Sequence, residues 1–485
     1  MPDVCFGFEA HQPYRLKRHF SPNPTVKSDE LMDLYFDEEN KEILSRVVQR
    51  CYTPMSSTLL SMLDEGFRCA FSFSGILIDQ LERWEPDTLE LFSQIARHQR
   101  TELVAQPYYH SVASCFDGKW EFKSQLRKHL DLLQDQFKRR PLICMNTELM
   151  LNNEIAGVIQ RSGFRGALTE GVPHILSGRS SNHLYLCRDV PVLLRNPHLS
   201  DDITLRFVDS SWDQYPLTAD KYAAWLASSP GEVITIFLNY ETFGEHIDGE
   251  TGIFNFLKHL PEQCREQNID FILPSEIIEK YAAVDTLDIP MTISWADADK
   301  STSAWMGNER QRTAYAALQS AENYVKDAPL YWRYLQAIDH FYYMASRYGS
   351  GGEPHTYRAL EDPEQTLETF MRVLADYEER AIPSMKDSES ARILRALYPE
   401  QAFQFTSPTG SVGHAAYNLA QFQDQLEVIP KDSIQYHQER RDFSRWIRET
   451  LTDPDLAEAI GECTERHELV SILGTRIEEL RNRLN

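Results

Sequence analysis

None of the eight cysteines stands at Cys-x-x-Cys spacing from another. That absence removes the usual zinc and dithiol redox signatures. The thiols are scattered at Cys5, Cys51, Cys69, Cys115, Cys144, Cys187, Cys264 and Cys463, several inside apolar runs. A free cysteine there behaves as a small hydrophobe, which fits a reducing compartment. Long apolar runs are missing too, so a bilayer span is not expected. Met1-Pro2-Asp3 leads straight into a strand-like segment, with no basic stretch and apolar h-region before it. The expectation is a cytoplasmic protein without a signal peptide or membrane contact. Positive charge is scarce: 49 Lys and Arg stand against 73 Asp and Glu, a formal net charge of -24. Phosphate backbones are bound through cations, so a nucleic-acid partner is excluded, and the acidity reads as solubility. There is no internal repeat and no low-complexity tract.

What is present is a chain of 485 residues, enough for two or three domains. Short apolar runs at Val4–Glu9, Arg68–Ser74, Leu103–Gln106, Leu142–Asn146, Gly166–Thr169, Ile203–Val208, Val233–Leu238 and Phe271–Leu273 predict strands. Helical patterns such as Ser124–Phe137 and Asn152–Ser162 lie between them. Such alternation implies an α/β fold with a parallel sheet, here closed into a barrel over residues 1–285. From Asn308 the pattern turns helical, at Gln311–Val325, Leu330–Ser346 and Pro363–Ala381, and the helical tendency continues over Ser388–Thr406. Residues 286–406 are therefore read as a helical domain packed on the barrel. Ser407 to Gly413 reads as a turn-rich linker. Three further helices, near Ala415–Gln425, Asp432–Thr450 and Thr464–Leu484, make residues 407–485 a small helical module. Its stripe of Leu469, Ile472, Leu473, Ile477 and Leu480 is read as internal packing rather than a dimer seam.

Several of the strand-like runs end in polar or acidic residues. Val4 to Phe8 stops at Glu9-Ala10-His11-Gln12, Pro141 to Met145 at Asn146-Thr147-Glu148, and Val233 to Leu238 at Asn239-Tyr240-Glu241. Leu199-Ser200-Asp201-Asp202 opens another strand-like stretch. In a parallel barrel the strand tips gather at one rim, where chemistry is done. Two carboxylates on one rim are the minimum for glycoside hydrolysis. The plainer reading of Glu148 alone is a strand-end carboxylate near the next helix N-terminus.

In order, five segments resemble glycoside hydrolase family 57, and within it the α-amylase-like group. They are Phe8-Glu9-Ala10-His11-Gln12-Pro13-Tyr14-Arg15-Leu16, Phe73 to Glu82, Asn146-Thr147-Glu148-Leu149 with Asn152 to Ala156, Leu194 to Ile203, and Tyr240-Glu241-Thr242-Phe243-Gly244-Glu245-His246. Ile293 to Asp297, Ser303 to Asn308 and Asp339 to Met344 extend the likeness over roughly three quarters of the chain. The resemblance implies a (β/α)7 barrel, action on α-1,4-glucans with retention of configuration, and no required metal or other cofactor. It implies Glu148 as nucleophile and one Asp of the fourth segment as general acid/base, Asp201 being favoured over Asp202. His11 and His246 are expected to hydrogen-bond sugar hydroxyls, Glu9 to do the same or to orient His11, and Gln12, Tyr240, Glu241 and Trp295 to join them as substrate-binding residues. A retaining pair lies about 5 Å apart, one carboxylate ionised and one protonated.

Aromatics crowd the same segments, and sugar C–H faces stack on aromatic faces. Trp120, Trp212 and Tyr215, in polar surroundings, are the expected platforms. A metal alternative stays open, with Glu9, His11, His110, His174, His246 and Asp201 as conceivable ligands. Two positions depart from the family pattern: Asn239 stands where an Asp usually precedes the Tyr-Glu pair, and Gln106 where an acidic residue is usual nearby. Three functions follow: hydrolysis of an α-glucan or malto-oligosaccharide, glucan transfer or branching through the same covalent intermediate, and a catalytically weak glucan-binding protein. Oligomeric state is not legible.

Overall fold

The computed structural model describes residues 1–322, 330–345, 362–463 and 465–484. Nine strands of one sheet run in chain order as β1 (Asp3–Ala10), β2 (Cys69–Phe73), β3 (Thr101–Ala105), β4 (Ile143–Met145), β5 (Gly166–Glu170), β6 (Tyr185–Cys187), β7 (Val190–Arg195), β8 (Val233–Asn239) and β9 (Thr286–Leu287). Seven of them, β1 to β5 with β7 and β8, pair in parallel and close on themselves through β5–β7 and β8–β1. The result is the expected seven-stranded α/β barrel. The short β6 folds back antiparallel on β7 and carries β9 outside the closed ring.

Alternation along the strands divides the apolar residues into two cores. Val4, Phe6, Phe8 and Ala10 of β1 face the helices, with Phe71, Phe73, Ile234 and Ile236. Each fully buried Phe or Ile contributes about 2 kcal/mol. Cys5, Ala70, Val104, Ile143, Met145, Leu168, Leu193, Val233 and Phe237 face the other way, into the barrel. Gly7 shares that inward parity. A Cβ there would stand 2.6 Å from the Phe237 ring, so glycine leaves room for the ring to fill the barrel. Continuing the same parity puts Glu9 of β1, Glu170 of β5 and Arg195 of β7 at inward positions at the strand ends.

Some expected elements differ. The stretch Ile203–Val208 is not a strand: helix Pro197–Thr204 occupies its start, and the barrel strand is the earlier Val190–Arg195. Asn196 explains this, because its side chain accepts from Leu199 N at 3.0 Å and Pro197 fills the first helical turn. Phe271–Leu273 adds one bridge, from Phe271 to Val4, before helix Pro274–Lys280 begins. Pro363–Ala381 is a helix with those limits. Expected helical positions 323–325, 346 and 464 lie outside the described residues.

The supposed linker is a β-hairpin, β10 (Phe403–Ser407) against β11 (Gly410–Ala416), so the boundary expected at 406/407 falls inside a paired element. Phe403 and Phe405 alternate with polar residues and pack on Phe422 and Phe443, which gives the hairpin its apolar face. By contacts the chain forms two compact units. One contains Met1–Tyr14 and Glu38–Ala304. The other contains Arg15–Asp37 with the described residues from 305 onward. In the second unit, Leu469, Leu473, Ile477 and Leu480 of helix Arg466–Leu484 are buried with Leu419, Phe422 and Leu426. Among the described residues no helix is long and apolar enough to cross a membrane.

Candidate active site

The inward residues at the C-terminal strand ends, and those just beyond, form one connected polar cluster. On one side, Glu148 sits in a single 3-10 turn after β4, with φ 54° and ψ 31°. Leu149 (φ 55°) and His110 (φ 49°) share the left-handed region. Non-glycine residues held there cost of order 1–3 kcal/mol each and cluster at functional sites. The Glu148 carboxylate accepts from His110 Nε2 at 3.1 Å and from Trp295 Nε1 at 2.5 Å, while its carbonyl accepts from Trp295 N at 3.2 Å. Both carboxylate oxygens are therefore oriented.

His110 is the hub of this side. It is buried, its Nδ1 lies 3.0 Å from Gln106 Oε1 and 3.3 Å from Glu9 Oε1, and its ring stacks on His11 at 3.9 Å. Burial works against its charge, yet the Glu9 and Glu148 carboxylates outweigh it and push the imidazole up to about 10. Glu9 itself is pushed up by burial, opposed by His110. His11 Nδ1 meets Ser74 Oγ at 2.7 Å, and His11 N donates to Glu241 at 3.0 Å. Glu241 also accepts from the Tyr52 hydroxyl, and burial pushes its carboxyl up to about 7.

The His110 shift has a consequence for stability. Its folded value lies above the unfolded one of 6.5, so its stabilising contribution is complete below about 6.5 and lost as pH rises through about 10. The melting temperature should therefore fall from about pH 7 to pH 10, and His110→Gln should flatten that limb. An unchanged slope in the variant would remove His110 as the source.

On the other side, Arg195 reaches across the rim. It is buried, and its Nε donates to Phe237 O at 2.8 Å, Nη1 to Glu170 at 2.9 Å and Nη2 to Asp201 Oδ1 at 2.6 Å. Glu170 and Arg195 face each other in strand register. Asp201 stands in helix Pro197–Thr204, just beyond the end of β7. The Arg195 guanidinium lies 5.4 Å from the Trp295 ring centre, so Trp295 links the Glu148 and Asp201 sides. Asp202 turns away to pair with Arg206.

The cluster thus unites Glu148, Asp201, Glu9, His11, Glu241 and Trp295. Gln12 is buried beside it, its carbonyl accepting from Gln80 at 2.7 Å. Five expected residues stand elsewhere. Tyr240 is a core residue: its ring packs among Phe8, Tyr52, Phe71 and Phe92, and its hydroxyl meets Ser56 at 3.0 Å. Strand alternation turns it away from the rim. His246 is exposed. Trp212 packs edge-on against Trp225 at 5.8 Å, and Tyr215 is exposed on the same loop. Trp120, half-buried, opens helix Trp120–Leu132. Arg195 and Glu170 had no role in the sequence reading and His110 only a conceivable metal role, although the strand-tip rule reaches all three. Asn239, on the inward face of β8, is in register with Glu9. Among the described residues no group of three or more His, Cys, Asp or Glu side chains is arranged to hold a metal ion.

The family model of glycosyl hydrolase family 57 matches residues 5–290. A Methanocaldococcus jannaschii protein named "Putative alpha-amylase" is 36% identical over 395 residues, covering 77% of this chain and 84% of that one. The fold is similar to a branching enzyme of this family from Pyrococcus horikoshii, with TM-score 0.59 and 12% identity over 81% of this chain and 90% of that one. It is also similar to the 4-alpha-glucanotransferase of Thermococcus litoralis, with TM-score 0.58 and 15% identity over 77% of this chain, which spans 60% of that enzyme.

Proposed function

This chain belongs to glycosyl hydrolase family 57, and on that premise we propose that it is a retaining enzyme acting on α-1,4-glucans, hydrolysis being its main reaction. One observation carries the assignment of roles. Of the rim carboxylates, Glu148 and Asp201 each leave 23% of the side chain exposed. Glu9, Glu170 and Glu241 are buried. Groups that must touch a sugar are the ones solvent can reach, and the buried three orient their neighbours.

In the proposed reaction a Glu148 oxygen attacks the anomeric carbon. The bond from that carbon to the glycosidic oxygen breaks, and Asp201 gives its proton to the leaving oxygen. Arg195 occupies Asp201 Oδ1, and Oδ2 is the oxygen available for proton transfer. Water then attacks the glycosyl-enzyme, Asp201 takes the water's proton, and Glu148 is released with net retention. A glucan hydroxyl in place of water gives transfer, which the names of the two similar structures make the second reading.

Incubation with maltoheptaose tests the proposal. Shorter products alone, the first formed as the α-anomer, are expected. A ladder above the starting length would replace hydrolysis with transfer, and no change at all would leave a binding protein. Asp201→Asn should slow malto-oligosaccharide cleavage by roughly 10²–10⁴-fold, and substrates with an acidic phenol leaving group far less. Equal losses on both would move the acid role to Asp202 or another acid.

A further inference from the structure

Residues between 207 and 220 and helix Ile253–Glu266 line an open cavity of about 520 Å³, within the size range of small-ligand sites. Its floor, Phe207 and Phe256, belongs to the layer between strands and helices, not to the barrel interior that leads to Glu148 and Asp201. Tyr215 stands at its edge, 46% exposed, and among the described residues no other Phe, Tyr or Trp is so exposed. The loop that carries the ring is pinned. Lys221 Nζ donates to Gln214 O at 2.8 Å and Pro216 O at 3.0 Å, and Tyr215 N donates to Trp212 O at 2.9 Å. A backbone already held there loses little freedom on binding a partner.

Across the cavity, Asn255, His259 and Gln263 lie at successive four-residue steps on one helix face, a ladder about 12 Å long. His259 uses Nδ1 on Asn255 O at 2.7 Å, which directs Nε2 elsewhere. The amide groups of Asn255 and Gln263 make no hydrogen bond among the described residues. The lining holds no Lys or Arg, and its one carboxylate is Asp220. That composition disfavours an anion, and a lone carboxylate does not hold a metal. An aromatic face opposite uncharged hydrogen-bonding groups fits a neutral polyhydroxylated ring.

We infer that this cavity is a second carbohydrate site, separate from the catalytic rim, which binds a stretch of malto-oligosaccharide or of the polymeric α-glucan. Its ligand class rests on the α-glucan reading above. Tyr215 supplies the stacking face, and Asn255, His259 and Gln263 bind hydroxyls. A long glucan held there raises the local concentration of its own chain ends and branches at the rim.

The test uses the full chain carrying Glu148→Gln, which prevents turnover, titrated calorimetrically with maltoheptaose and run in native gels containing amylopectin. Two sites per chain are expected. Adding Tyr215→Ala should leave one and weaken amylopectin retardation roughly fivefold to tenfold. Tyr215→Phe should keep both sites, and Asn255→Ala with His259→Ala should mimic Tyr215→Ala at an unchanged melting temperature. One site per chain, with retardation indifferent to Tyr215→Ala, would overturn the second site and leave the α-glucan reading standing. No maltoheptaose binding at all would overturn both.

Discussion

Glu148→Gln is expected to lower turnover of malto-oligosaccharides on the order of 10⁴-fold or more, with the fold intact. That factor corresponds to about 5.5 kcal/mol of barrier. The amide keeps the volume, and its oxygen can still accept from Trp295, one of the two groups that contact the carboxylate oxygens in the native chain. It cannot form the ester to the anomeric carbon. Glu148→Ala gives a sharper readout. With azide in excess and a sugar bearing a good leaving group, the anion should attack from the face that the carboxylate occupied. The product would be a glycosyl azide of inverted configuration, since only one displacement takes place. Turnover near the native rate in Glu148→Gln, or an azide product with retained configuration, would end the nucleophile assignment.

The left-handed backbone at Glu148 bears on the same expectation. A glutamate at φ 54° is unfavourable on its own. Surrounding contacts impose it: Leu149 N donates to Asn146 O at 3.0 Å, and Trp295 N to Glu148 O at 3.2 Å. Pinning both ends of the turn aims the side chain while leaving part of it accessible. The strain is thus spent on the direction of one carboxylate, as expected of a group that must meet a carbon within a few tenths of an ångström.

Much of this arrangement is readable from alternation in the strands. The run Val4 to Phe8 followed by Glu9 places an acid at the inner rim, because its parity matches Cys5 and Gly7. Glu148 is readable for a different reason, as the acid just past a short buried strand. Tyr240 fails by the same rule that succeeds for Glu9: it lies one residue past inward Asn239, so its ring returns to the helix-side core. Asp201 reads as the opening of a strand-like stretch, whereas the Asn196-Pro197 cap commits that segment to a helix. The hairpin at 403–416 was hidden by its Ser-Pro-Thr-Gly turn, which reads equally as a linker. Contacts between distant segments, such as His110 with Glu9 and Glu148, have no local signature at all.

Arg195→Met should be the most costly single change to stability at the rim, by roughly 3–5 kcal/mol. Methionine nearly matches the volume but removes the counter-ion of Glu170, whose side chain has no exposed surface. Glu170 would keep its backbone donor, Gly171 N at 2.9 Å, and lose the guanidinium at 2.9 Å. Burial already raises the Glu170 carboxyl, with Arg195 opposing it, so removing Arg195 raises it further. The folded value then lies above the unfolded one, and the penalty grows as pH climbs from the unfolded value toward the folded one. Arg195→Met should accordingly be more damaging at neutral pH than near pH 5. Adding Glu170→Gln removes the stranded charge and should recover most of the loss, so the two changes couple strongly in a double-mutant cycle. Turnover should not follow, because Asp201 Oδ1 still lacks the donor that holds it at 2.6 Å. A double variant with restored melting temperature and low activity identifies Arg195 as a positioning residue for Asp201. Recovery of both together would mean that Arg195 serves only to neutralise Glu170. Arg195→Lys does not replace it, since a single ammonium cannot reach Phe237 O, Glu170 and Asp201 from three separate nitrogens.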